Sequence, residues 1–273
     1  MSMVPIGSNI KDGYDAGHGF PFDSDGISER YPGIFFSQFS GAEMMAEKWN
    51  LSREDLDRFA LSSHQKAAAA VEGKHFDREI LPVQAKNEEG KTDMVLNDEG
   101  IRYDASLEAL SGLNPITEGG VITAGNASQI TDGAAAVMIC NDEGLKKIKA
   151  DPRARIKGIS VVGDDPVIML SGPIPASRQV LNATNLSIND IDLYEVNEAF
   201  APVPLSWAIE LKADIEKLNV NGGAMALGHP LGASGAKLMT TLLHELERTK
   251  GKYGLQAICE GGGTANATII ERI

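Results

Sequence analysis

Three short stretches of this 273-residue chain hold the side chains that could do chemistry. Asn197 and Glu198 directly follow the apolar run DIDLYEV; His229 sits in GGAMALGHPLGASG; Cys259 closes LQAIC just ahead of Gly261, Gly262 and Gly263. A cysteine within reach of a histidine is a candidate nucleophile or proton carrier. A glycine run beside it can turn a backbone N–H toward a developing oxyanion. Each residue also has a plainer reading. A free cysteine is usually a buried small hydrophobe, and Cys140, which ends an apolar run with no polar loop around it, keeps that reading. His18, His64, His75 and His244 read as structural residues, with His64 and His244 on predicted helix surfaces. A glycine-rich loop alone is a weak signal. The common placement of Asn197, His229 and Cys259 is the stronger one.

That placement comes from the elements around them. From Arg155 the pattern alternates: the strand RIKGISVVG, a helix near 176–184, the strand DIDLYEV, a helix from about 203, the strand LNVNGG, a helix at 233–249, then the strands GLQAIC and NATIIERI. Such alternation predicts an α/β layer with helices over the sheet. Ligands of open α/β sheets bind beyond the carboxyl ends of strands, and here three strand ends deliver a polar or reactive side chain. Gly222, Gly223, Gly228, Gly232 and Gly235 would let the backbone approach a ligand. Pro202 and Pro204 place the start of the intervening helix after them.

Upstream, residues 1–35 read as irregular chain, followed by helices at 40–49 and from Ser52 to about Gly73. Ser52 with Asp55 forms a capping-box-like start. FDREILPVQAK reads as a short strand and 86–104 as a polar loop. VITAGNASQITDGAAAVMIC carries two apolar runs, read as strands, with a helix start around Asp142.

The net charge of −13 argues against nucleic acid and against an anionic membrane surface as the main partner. Two cysteines do not amount to a disulfide framework and fit a reducing compartment, so a cytoplasmic location is expected. No apolar run is long enough to span a bilayer.

At these same residues the sequence resembles the thiolase family. The motifs are NEAFA at 197–201, NGGAMALGHPLGASGA at 221–236 and CEGGG at 259–263, with DEGIR at 98–102, TAGNASQITDGAAAV at 123–137 and GPIPA at 172–176 upstream. The resemblance covers essentially the whole chain, in the family's order. It implies ping-pong acyl transfer between a cysteine and coenzyme A, with coenzyme A and acyl-CoA as substrates and no bound cofactor. His229 then matches the histidine that activates the nucleophilic cysteine, and Cys259 the second cysteine, which shuttles a proton. Asn197 matches the asparagine of the first oxyanion hole, and Gly261 the glycine whose N–H serves the second. Ser128 and Arg102 match residues contacting the pantetheine arm and the adenosine-phosphate end of coenzyme A, with Gly228 in the same binding set.

The resemblance also implies an absence. Met1 aligns beyond the family's nucleophilic cysteine, so the expectation is the C-terminal two-thirds of a thiolase: a layered α/β/α fold with the N-terminal domain largely missing. On that expectation residues 1–121 form the coenzyme-A-binding insertion, 122–150 a strand-rich remnant of the N-terminal domain, and 151–273 the C-terminal domain. SQFSGAEMMAEKW lacks the His-Met pair of acetoacetyl-specific members and looks closer to degradative members taking bulkier 3-ketoacyl groups. The function expected is 3-ketoacyl-CoA thiolysis or Claisen condensation by a truncated or split chain. It is expected as a homo-oligomer or as a partner of an N-terminal thiolase fragment or a full-length thiolase. Two rivals stand beside it: a non-catalytic acyl-CoA-binding or scaffolding subunit, and a hydrolase using Cys259 with His229 as base and Asn197 orienting it.

Overall fold

The computed structural model describes residues 4–86 and 89–273. Helices α1 (Ser8–Asp15) and α2 (Asp25–Arg30) interrupt the stretch read as irregular chain. Neither buries a residue; α2 is held at its start by the Ser24 hydroxyl, which caps Ile27 N–H. Helices α3 (Gln38–Lys48) and α4 (Arg53–Glu72) follow. The predicted capping box is present: the Ser52 hydroxyl accepts from Asp55 N–H, and the Asp55 carboxylate accepts from Ser52 N–H. Strand β1 (Val83–Lys86) pairs antiparallel with β2 (Thr92–Val95), so the segment read as a polar loop carries a strand.

After the short helix α5 (Leu107–Ser111), the region 122–150 departs from the strand-rich expectation. Its described residues form no strand; isolated bridges at Thr123 and Ala127, and then helix α6 (Asp142–Ile148), are the regular contacts. A strand must find partners for its N–H and C=O groups, and none runs alongside residues 130–139. Ile130, Met138 and Ile139 are 76%, 77% and 72% exposed.

The sheet of the C-terminal half has the order β3-β6-β5-β4: β3 (Ala154–Gly163), β4 (Leu193–Val196), β5 (Tyr253–Cys259) and β6 (Thr264–Arg272). β4 and β5 are parallel, whereas β5–β6 and β6–β3 are antiparallel. The residues predicted as a strand at 218–223 make only a single parallel bridge, Leu218 to Tyr194. The reason is local: Asn219 and Gly222 take left-handed backbone, with φ of 45° and 78°, and extended pairing cannot continue through them.

Helix α7 (Pro173–Thr184) covers one face of the sheet. Ser160 of β3 donates to Ala176 O at 2.7 Å, and Ala265, Ala267 and Ile269 of β6 are fully buried on that side. Helix α8 (Pro202–Leu211) begins at the first proline rather than after the second. Both prolines fall in the first turn, where the missing N–H groups would have no intrahelical partner. The short α9 (Ala224–Leu227) precedes α10 (Ser234–Thr249), which covers the other face; Leu242 and Leu246 pack there with Leu193 and Ile270. β4 and β5 are thus buried almost throughout, and their carboxyl ends open beside the loop between α9 and α10.

Candidate active site

Asn197 is placed by the sheet. Its N–H donates to Ala257 O at 3.0 Å, carrying the β4–β5 pairing one residue past the end of β4. His229 is placed by a loop rather than by a strand. Gly228, at φ +80°, ends α9, and a Cβ there would strike the Thr131 side chain, so only glycine fits. His229 N–H donates to Gln129 O at 3.0 Å.

The hydrogen bonds around the imidazole fix its tautomer. The Ser234 hydroxyl donates to Pro230 O at 3.1 Å and therefore accepts from His229 Nδ1–H, 2.6 Å away. Nε2 is left with its lone pair, and the Asn197 amide Nδ2 donates to it at 3.2 Å. Burial pushes the His229 pKa down, and the charge of Lys237 adds to that. The result is a neutral imidazole with a basic nitrogen beside a carboxamide.

Cys259 ends β5 and is 8% exposed. Burial pushes its thiol up to about 12, so it stands as a neutral thiol. Beyond it the chain turns through Gly262 and Gly263, at φ 77° and 80°. At Gly263 a Cβ would lie 2.9 Å from Pro166 Cα, while at Gly261 a Cβ would meet nothing within 4 Å. Gly261 is exposed, and its backbone is open to an approaching ligand.

The TAGNAS segment runs antiparallel to NEAFA, with Ser128 N–H donating to Ala199 O at 2.9 Å and Ala201 N–H to Asn126 O at 2.9 Å. Arg102 is exposed at the rim of a cavity of about 510 Å³, lined also by His64, Ala68, Val71, Glu72 and Tyr103. His64 corrects the surface reading: it is 6% exposed, and its Nδ1 accepts from Arg102 N–H at 3.1 Å. Its signal was present in the sequence, since His64 follows Ala60 by four residues on the face of Leu56. His244 likewise lies half-buried, facing Glu79 at 3.4 Å. Cys140, read as buried, is exposed.

Gln129 was not singled out from the sequence, where nothing in its spacing marks it. Its amide donates to Gly100 O at 2.7 Å and Met225 O at 2.6 Å, and its own carbonyl accepts from His229 N–H. One side chain thus ties DEGIR to the loop that carries His229. Glu198 is also built in rather than catalytically exposed: it is 1% exposed and accepts from the Ser63 hydroxyl, the Asn219 amide and Met225 N–H. Among the described residues no group of three or more His, Cys, Asp and Glu side chains is placed to hold a metal ion.

Family models for "Thiolase, N-terminal domain" and "Thiolase, C-terminal domain" match residues 21–143 and 150–272. The chain is 40% identical over 279 residues to a probable acetyl-CoA acyltransferase of Staphylococcus aureus, covering all of this chain and 70% of that protein. The chain belongs to the thiolase family. Its N-terminal family domain is represented at 21–143, which corrects the expectation that this domain is largely missing. Steroid 3-ketoacyl-CoA thiolase FadA6 of Mycobacterium tuberculosis is 52% identical over 274 residues, 100% of this chain and 66% of that protein. Human mitochondrial 3-ketoacyl-CoA thiolase, solved in complex with CoA, superposes with a TM-score of 0.81 at 46% identity. The match covers 86% of this chain and 58% of that one. The chain therefore spans from somewhat over half to about two thirds of the length of these two thiolases. No helix among the described residues is long and apolar enough to cross a membrane.

Proposed function

We propose that this chain carries the acid–base half of a thiolase reaction on 3-ketoacyl-CoA, together with the surface that binds coenzyme A. The observation that carries the reading is the Asn197–His229–Ser234 array: a neutral imidazole whose Nε2 lone pair is presented beside a carboxamide at 3.2 Å. In the degradative direction a cysteine thiolate, made by proton transfer to His229, adds to the 3-keto carbon. The C2–C3 bond breaks with its electron pair going to C2, and the neutral Cys259 thiol supplies the proton that completes acetyl-CoA. The Cys259 thiolate so formed takes the proton of the coenzyme A thiol, whose sulfur adds to the acyl thioester on the nucleophile; the nucleophile leaves as a thiolate and takes back the proton held by His229. Asn197 and the Gly261 N–H serve as donors to the carbonyl oxygens as they gain charge.

The relatives' names and the CoA complex of the human enzyme support coenzyme A as the ligand. On that reading residues 1–121 hold the coenzyme, with Arg102 at its phosphates and Ser128 along its pantetheine arm near Gly228. Residues 122–150 bridge to the acid–base domain at 151–273. Neither of the chain's two cysteines offers a second catalytic thiol beside Cys259: Cys140 is exposed on the segment 130–141. The nucleophile therefore has to come from another polypeptide segment, and this 273-residue chain alone binds acyl-CoA without turning it over. Association with such a segment, or with a complete thiolase, would restore the reaction. The free thiols of both cysteines suit a reducing compartment such as the cytoplasm.

Calorimetric titration with coenzyme A, alongside a thiolysis assay on a 3-ketoacyl-CoA, tests this. Binding that weakens in Arg102→Ala, with no turnover, is expected. With an N-terminal thiolase fragment bearing the nucleophile added, His229→Ala should block acylation, and Cys259→Ala should allow acylation but stop carbon–carbon chemistry. Turnover by the unsupplemented chain in the ordinary range of about 1–1000 s⁻¹ would sink the division of labour. Normal turnover of either mutant in the supplemented system would sink the assigned roles.

A further inference from the structure

β4 and β5 run parallel with Glu195 opposite Gln256, and both side chains face α10. Gln256 Nε2 donates to Gly235 O at 3.1 Å near the start of that helix. Glu195 lines, with Asn197, Ser234, Lys237 and Thr241, a narrow cleft under the start of α10. Glu195 and Gln256 are 2% and 4% exposed. Glu195 Oε2 and Gln256 Oε1 have no hydrogen-bond partner among the described residues, and both are acceptors when the carboxyl is ionised. Leaving two buried acceptors unmet on adjacent strands is destabilising. A single proton removes both demands, because a carboxylic acid is a donor.

The neighbouring charges show why the proton belongs on Glu195. Glu198, in the loop after β4, has three donors in Ser63, Asn219 and Met225. Glu245 of α10 is paired with Arg248 and accepts from Asn221. Glu79, in the segment after α4, accepts from Thr241 and faces His244. Lys237 of α10 donates to Leu227 O at 2.7 Å and lies 3.8 Å from Asp98. Each of the other carboxylates has a donor; Glu195 Oε2 has none.

We propose that Glu195 is held as a neutral carboxylic acid, its proton directed across the strand pair to Gln256 Oε1, and that it is a positioning residue for His229. Burial first, and then Glu198, Glu79 and Glu245, push its carboxyl well above the usual range, with Lys237 opposing. The consequence for His229 rests on the acyl-transfer reading. An anion at Glu195 would draw a proton onto the imidazole. A neutral acid leaves the charge of Lys237 acting, so the ring stays in its base form.

The sign of the pH dependence follows from the raised value. Above the ordinary carboxyl value of 4.5 the unfolded chain releases this proton while the folded chain keeps it. Folding stability is therefore lost progressively as pH rises from there toward the folded value. Glu195→Gln, which keeps a donor and cannot ionise, should match the parent chain in urea midpoint near pH 4.5 and pull ahead steadily toward pH 8. The His229 ring titration, followed by NMR, should not move. A midpoint difference that is flat or reversed with pH, or a His229 titration shifted to lower pH by the substitution, would overturn the proposal. Should Glu195→Gln not fold, infrared spectra of the Glu79→Gln chain at neutral pH decide it. A protonated-carboxyl carbonyl band is expected there and again in the Glu79→Gln, Glu198→Gln double variant, since burial raises Glu198 as well, and its absence from the double variant would overturn the claim. None of these readouts is activity, so a failed acyl-transfer reading and a failed Glu195 assignment give different results.

Discussion

Two apolar stretches of this chain have opposite fates. LYEVNEAFA, from β4 onward, disappears into the core: Val196 and Ala201 are fully buried and Phe200 is 5% exposed. AAAVMIC, ending at Cys140, is comparably apolar, yet Met138 and Ile139 are 77% and 72% exposed and no strand forms there among the described residues. Composition does not separate them; partners do. β4 has β5 beside it and α8 and α10 above and below, whereas the second stretch has no neighbouring strand. Apolar sequence states a demand for burial, and the surrounding chain decides whether it is met.

The two cysteines give the sharpest way to break this comparison. With the Cys259 thiol pushed up to about 12, only roughly 0.01% is thiolate at pH 8. Iodoacetamide should label Cys140 completely before Cys259 reacts, and peptide mapping reads the order. Comparable labelling of both in the folded chain would show that the strand-end site is not closed. Next comes Trp207→Ala in α8, which removes a fully buried ring packed on Tyr194 and bonded to the Ser177 hydroxyl at 2.8 Å. A loss of about 3–5 kcal/mol in urea unfolding is expected. Gln129→Ala, which strands the Gly100 and Met225 carbonyls, should cost about 1–3 kcal/mol and weaken coenzyme A binding as well. A stability loss with unchanged binding would separate Gln129 from the site. The smallest change in stability is expected for Met138→Ser with Ile139→Ser, within about 0.5 kcal/mol each. The same pair should lower binding of an apolar dye and reduce self-association in light scattering. An unchanged dye signal would mean that this stretch is covered in solution.

The legible part of the sequence was the part governed by local chemistry. Ser52 with Asp55 announced the start of α4, and Gly228 beside His229 announced a backbone only glycine adopts. The site residues Asn197, His229, Ser128 and Cys259 stood out by type and motif, and the first two meet in a hydrogen bond. Long-range pairing was not legible. LNVNGG has strand composition, but left-handed backbone at Asn219 and Gly222 turns it out of the sheet after one bridge. The alternation of elements did not state strand direction: β6 runs antiparallel to β5 because the tight turn through Gly261–Gly263 joins them directly. His64 turns inward because it shares the helical face of Leu56 and Ala60, against the surface position its polarity suggests.

The bridging amide of Gln129 also bears on the order in which the molecule is expected to assemble. Its two partners lie 29 residues before it and 96 residues after it, so neither bond can form while the chain is being laid down locally. Contacts of such separation are entropically late, because the loops they close must be drawn in before any gain is returned. α4, with its cap and its own backbone bonds, can form early; the cleft around His229 closes only when the DEGIR segment, the TAGNASQ segment and the α9–α10 loop arrive together. The reactive edge of this protein is thus expected to close late in folding, around one side chain that does no chemistry of its own.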